Sequence, residues 1–140
     1  MLVDTHAHTY LCKHAQLVQP RAYFETAKRM GFTHFAFCDH NPFEGDDYDF
    51  RHRMSIKEFA LFNRMYSEYN AIHIKESLPV PLKIMEVDWQ VFHNEKTLEF
   101  VDEYLQDFDG VIGSIHMNNQ DEIAWVDTHT ADEFLEMFKT

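Results

Sequence analysis

Short runs of apolar, β-branched and aromatic residues alternate, along nearly the whole chain, with segments of helical hydrophobic period. Leu2–His6, Thr33–Cys38, Leu82–Asp88 and Val111–Ile115 read as strands. A first helix is expected over Arg21 to Met30, after Pro20 at a starting position and before Gly31 as its stop. A second opens at Ser55, where Glu58 three residues on completes a capping box. Ile56, Phe59, Phe62, Tyr66 and Tyr69 then recur at helical spacing as a core-facing stripe. Leu98, Val101, Leu105 and Phe108 mark a third helix, broken by Asp109-Gly110, and Thr130 with Glu133 forms a second capping box before a final helix. Strands that alternate with helices pair in parallel through right-handed crossovers. The pattern fits an open doubly wound sheet or half of a barrel, and periodicity alone does not choose between them. At 140 residues the chain suffices for one core but is short for a closed α/β barrel.

Charge and cysteine usage narrow the function classes. Twelve basic residues stand against 24 acidic ones, a formal charge of −12. Phosphate backbones are held by clustered Lys and Arg, so a nucleic-acid partner is not expected. No apolar run approaches the roughly 20 residues that span a bilayer, so no membrane partner is expected either. The start, Met1-Leu2-Val3-Asp4-Thr5-His6, has neither a basic leader nor a long apolar stretch. With only Cys12 and Cys38, and no CxxC pair, a reduced, cytoplasmic protein is the expectation.

The ten histidines carry more information, because each predicted strand finishes at a residue able to bind a metal. His6 and His8 end the first strand, Asp39 and His40 the second, Glu86 and Asp88 the third, and His116 the fourth. Parallel strands in an α/β fold share one C-terminal face, so these residues converge there. At i and i+2, the imidazoles of His6-Ala7-His8 point to one side of a strand. A carboxylate in the apolar run Ile84-Met85-Glu86-Val87-Asp88 is costly to bury unless paired or metal-bound. Imidazole nitrogens mixed with carboxylate oxygens suit Zn²⁺, Mn²⁺ or Fe²⁺. A carboxylate such as Glu86 can bridge two ions, and two-metal sites favour phosphoester hydrolysis. Arg51 and Arg53 read either as solvated loop charges or as bidentate holders of a substrate phosphate. His34, His52, His73, His93 and His129 read as surface or half-buried polar residues, Cys38 as packed, and Cys12 as near the metal without being required.

With these residues in place, the sequence resembles the PHP (polymerase and histidinol phosphatase) family, and its histidinol-phosphatase branch in particular. Its matching segments, in family order, are Asp4-Thr5-His6-Ala7-His8-Thr9, Leu11-Cys12-Lys13-His14-Ala15, Cys38-Asp39-His40-Asn41-Pro42, Arg53-Met54-Ser55, Glu86-Val87-Asp88 and Gly113-Ser114-Ile115-His116. The resemblance implies a distorted (β/α)7 barrel, of which residues 1–140 supply about the first four β/α units as the N-terminal portion of a single domain. It implies up to three divalent metals. His6 and His8 would bind one, Glu86 would bridge to a second that also takes His116, and His14 with His40 would bind the third. Glu86, His116 and Asp39 are the expected catalytic residues. The implied reaction is hydrolysis of L-histidinol phosphate to L-histidinol and phosphate, a late step of histidine biosynthesis. Ile84 stands where the family usually has glycine, and none of the matching segments corresponds to the family's later motifs, a further histidine and a terminal Asp-x-His.

Two other readings stand beside this one. A PHP phosphoesterase acting on nucleotides or DNA ends would use the same centre on a different substrate. A half barrel with open strand edges would also serve as a noncatalytic metal-binding or assembly module, and self-association with low turnover is then expected of the chain alone.

Overall fold

The computed structural model describes residues 1–42, 53–88, 99, 102–114 and 130–137. In order these form β1 (Val3–Asp4), α1 (Pro20–Arg29), β2 (His34–His40), α2 (Ile56–Glu76), β3 (Val80–Asp88), a 3-10 turn (Leu105–Asp107), β4 (Gly110–Ser114) and α3 (Ala131–Met137). The strands make one sheet in the order β1-β2-β3-β4, and every pair is parallel. A doubly wound sheet reverses direction after its first strand and so places that strand inside. Here β1 is at the edge and each later strand steps the same way, as in a barrel wound in one direction. Strand order thus decides what periodicity left open: the fold is α/β, a half barrel of four parallel strands with helices.

Local sequence sets where each element starts and stops. Pro20 is itself the first helical residue of α1, because its missing N–H would be unpaired there in any case. Gly31, at φ 82°, takes the left-handed conformation expected of the stop, and the helix ends at Arg29, one residue before the expected Met30. The Ser55–Glu58 box opens α2 as expected: Glu58 N–H donates to Ser55 Oγ at 3.3 Å and Ser55 N–H to Glu58 Oε2 at 2.8 Å. The Thr130–Glu133 box opens α3 in the same way. At the far end of α2, Lys28 Nζ donates to the Glu76 carbonyl at 2.9 Å, tying α1 to the C-terminal end of α2.

Several boundaries differ from expectation for identifiable reasons. β1 pairs only over Val3–Asp4 and not to His6, because the Asp4 side chain accepts the His6 N–H at 3.1 Å and turns the chain. β3 begins at Val80, ahead of Pro81, which would ordinarily argue against a central strand. Val80 N–H faces β2, donating to Thr33 O, so the missing donor of Pro81 falls on the β4 flank, where pairing starts only at Ile84. β2 runs on through Asp39 and His40. Of the third expected helix, residues 102–104 are helical before the Leu105–Asp107 turn, while Leu98 and Val101 lie outside the described residues.

Alternation along the strands separates two faces. Phe35, Phe37, Met85 and Val87 meet the helices in the main core with Phe24 of α1 and Phe59, Phe62, Met65 and Tyr69 of α2. Met65 is buried where the stripe predicted Tyr66, which is half-buried. The Phe24 ring stacks on Tyr69 at 4.6 Å and meets Phe35 edge-on at 5.1 Å. The other face carries smaller residues, Ala36, Cys38 and Ile84, with Leu82 and Ile112 against them. In the β2–β3 register these lead to His40 opposite Glu86.

Phe24 has no exposed surface and touches three aromatic rings, so Phe24→Ala should cost about 3–5 kcal/mol in urea unfolding. Ser55→Ala should cost about 1 kcal/mol through the lost cap, and Leu17→Ala, at a position 90% exposed, should stay within about 0.5 kcal/mol.

Candidate metal centre

The centre is assembled at the C-terminal ends of β1, β2 and β3. After the Asp4 turn, the Ala7 carbonyl accepts the Cys38 N–H at 3.0 Å, which keeps the outgoing chain alongside β2. Thr9 then docks on Asp39: its N–H reaches Oδ1 and its hydroxyl Oδ2, both at 2.6 Å. The Thr9 oxygens in turn start a tight loop, with Leu11 N–H on Oγ1 at 3.1 Å and Cys12 N–H on the carbonyl at 3.1 Å. Leu11 anchors this loop in the main core, and Lys13 pairs with Glu58 of the α2 capping box. The result is a short loop fixed at both ends that holds His8, Cys12 and His14 over the end of β2.

Three imidazoles face one carboxylate oxygen. Glu86 Oε2 lies 3.0 Å from His6 Nε2, 3.4 Å from His8 Nε2 and 3.3 Å from His40 Nδ1. The Glu86 side chain is only 3% exposed, and this is the compensation that its place in an apolar strand requires. The spacing also fits an ion: two donors about 2.1 Å from a tetrahedral metal are about 3.4 Å apart. Among the described residues two donor groups have all their ligand atoms within 4.8 Å of one another, His6–His8–Glu86 and His8–Cys12–His40. Neutral nitrogens, a carboxylate and a thiol form a donor set suited to a divalent transition metal.

The surroundings are shaped by burial. Asp39 is fully buried, which raises its carboxyl above the usual range, against the lowering effect of the bonds from Thr9 and from the Cys12 thiol. Burial, and then the Asp39 charge, push the Cys12 thiol far above its ordinary value. The Cys12 sulfur also accepts the His40 N–H at 3.2 Å, so the same side chain touches both ends of the Asp39-His40 pair.

The other expected site residues divide clearly. His14 is exposed, and its ring lies 5.2 Å from that of His8 and 5.3 Å from that of His40. Arg53 is not a solvated loop charge: it is 3% exposed, and its guanidinium donates to Asn41 Oδ1 at 3.0 Å. Asn41 N–H in turn donates to the Glu86 carbonyl at 2.8 Å, so Arg53 is linked through one residue to the strand that carries Glu86. Asp88 is the last residue of β3, in register with Ser114. His116 and Arg51 lie outside the described residues, as do His52, His93 and His129. Of the histidines read as ordinary, His34 and His73 are half-buried and bond locally to Thr33 and to the Asn70 carbonyl. Sequence reasoning passed over Thr9 and Asn41; the signal available was a polar residue directly after each of two ligand candidates, His8 and His40.

Residues 4–140 match the PHP domain family. The chain belongs to that family. Its structure is similar to the crystal structure of hisK from Listeria monocytogenes, a protein provisionally named histidinol phosphatase, with a TM-score of 0.69 and 19% identity. The likeness covers 94% of this chain and 51% of that one, so this PHP chain spans about half the length of the structure it matches. At that identity the likeness carries the fold. No curated protein sequence matches the chain. Among the described residues of this PHP domain, no helix is long and apolar enough to cross a membrane.

Zn²⁺ at about 100 times its dissociation constant should stabilise the PHP chain by about 2.7 kcal/mol. Thermal unfolding with and without the ion should show that gain in the parent and its loss in Glu86→Gln. An equal gain in both proteins would place the ion elsewhere.

Proposed function

We propose that the centre hydrolyses phosphomonoesters with divalent metal, and that its substrate is a small phosphorylated metabolite of the histidinol phosphate type. The observation that carries this reading is the convergence of His6, His8 and His40 on Glu86. Membership of the PHP family supports the reaction class. Support for the substrate comes from the Cys12-Lys13-His14-Ala15 and Arg53-Met54 matches and from the formal charge of −12, which disfavours DNA ends. A cytoplasmic place in histidine biosynthesis belongs to the same proposal.

The residues divide the work as follows. His6, His8, His40 and Glu86 supply the donors, and the second oxygen of Glu86 allows it to bridge. His14 and His116 are the further ligands proposed. Held by these residues, divalent ions would supply hydroxide at neutral pH and would offset the charge of the phosphate. Arg53 adds a positive charge beside Asn41, the residue after His40, and its orientation is fixed in advance by Asn41. Arg51 is a second candidate for the same task. Asp39 serves by holding Thr9 and thereby the loop, since both of its oxygens are engaged there.

Phosphate release measured over a panel of substrates tests the proposal. L-histidinol phosphate should be hydrolysed faster than nucleoside monophosphates or DNA ends, in the presence of Zn²⁺ or Mn²⁺. Glu86→Gln should lower the rate by about 10³-fold, the scale of losing a principal electrostatic group. Preference for a nucleotide or a DNA end would transfer the protein to the nucleotide-directed reading. Metal binding without any phosphate release would favour the noncatalytic one.

A further inference from the structure

We propose that Cys12 is a metal ligand, adding a thiolate to the histidine and carboxylate donors and selecting ions of the zinc class. The inference rests on the metal-binding reading of the centre and goes beyond it, because it assigns a donor that the resemblance does not.

The geometry singles out this side chain. Cys12 has no exposed surface, and its sulfur forms a compact donor group with His8 and His40, all three ligand atoms within 4.8 Å of one another. His14, the residue expected to accompany His40, belongs to neither donor group among the described residues. The position of Cys12 is fixed from three sides. Its N–H is bonded to the Thr9 carbonyl, its own carbonyl accepts the Ala15 N–H at 2.8 Å, and its sulfur receives the His40 N–H. Beyond these bonds, the sulfur lies within 4.8 Å of a ring nitrogen of each of two imidazoles. His8 is common to both donor groups, so the sulfur joins the same cluster and does not form a separate centre.

The chemistry follows from softness. Thiolate and imidazole together favour Zn²⁺ and Co²⁺, whereas Mn²⁺ and Mg²⁺ prefer oxygen. As the sulfur–metal bond forms, the S–H bond breaks and the proton leaves to solvent, so charge and atoms balance without an oxidant or reductant. Cys38, the second thiol, lies on β2 outside both donor groups and provides an internal control.

Cobalt spectroscopy on the full 140-residue chain separates the two layers of the argument. Visible d–d bands on adding Co²⁺ report binding by the centre; an intense near-ultraviolet sulfur-to-cobalt charge-transfer band reports the thiolate. Both are expected in the parent and in Cys38→Ser. Cys12→Ser should keep the d–d bands, lose the charge-transfer band, and weaken Zn²⁺ binding with little change for Mn²⁺. X-ray absorption on the zinc-loaded parent needs no variant and should show a sulfur shell at about 2.3 Å beside nitrogen and oxygen at about 2.0–2.2 Å. Cobalt d–d bands with no charge-transfer band, or a zinc shell without sulfur, overturns the assignment of Cys12 alone. Absence of d–d bands overturns the metal centre itself.

Discussion

A carboxylate sits buried near the C-terminal end of an apolar strand, and much of the surrounding structure is arranged so that it can remain there. Glu86 follows Ile84 and Met85 and precedes Val87, and its side chain is almost fully buried. An uncompensated carboxylate in such a place would cost several kcal/mol, a large part of the roughly 5–15 kcal/mol that holds a domain together. Three imidazole nitrogens within 3.4 Å provide the compensation, and a divalent ion among them would provide more. Removing either side leaves the other exposed to the same cost. The centre is therefore part of what folds the half barrel as well as what the half barrel presents.

Holding those imidazoles in place takes a further set of polar groups packed around them. Asp39 lies on the opposite side of β2 from His40, by the alternation of the strand, and reaches Thr9 from beneath. Thr9 fixes the loop, and the loop fixes Cys12 and His14. Lys13 joins it to Glu58, which also closes the capping box of α2. The first turn of α2, a long way off in sequence, thus shares one side chain with the histidine loop. On the other flank, Arg53 and Asn41 connect the approach to α2 with the backbone of β3. Ligands whose orientation is set by such partners need little reorganisation when an ion or a phosphate arrives.

Much of this was legible in the sequence. The four strands, the two capping boxes and the strand-end positions of His40 and Glu86 follow from periodicity and from turn chemistry, which act locally. The limits of that reading are equally physical. β1 was expected to reach His6, but a single side-chain bond from Asp4 ends it early, and no propensity encodes that bond. Pro81 concealed the start of β3, since its tolerance depends on where β4 begins. Arg53 read as a surface charge because its partner, Asn41, stands twelve residues earlier, just past the end of β2. The choice between an open sheet and a barrel depends on strand order, a property of the whole chain that no local pattern contains.

The most direct measurement is a crystal of the zinc-soaked chain with anomalous diffraction collected on both sides of the zinc edge. The account predicts a zinc peak bounded by Glu86 and at least two of His6, His8 and His40, with bond lengths of about 2.0–2.2 Å. Glu86 surrounded by its three imidazoles with zinc bound only at other residues, or with no zinc peak at saturating concentration, would contradict it.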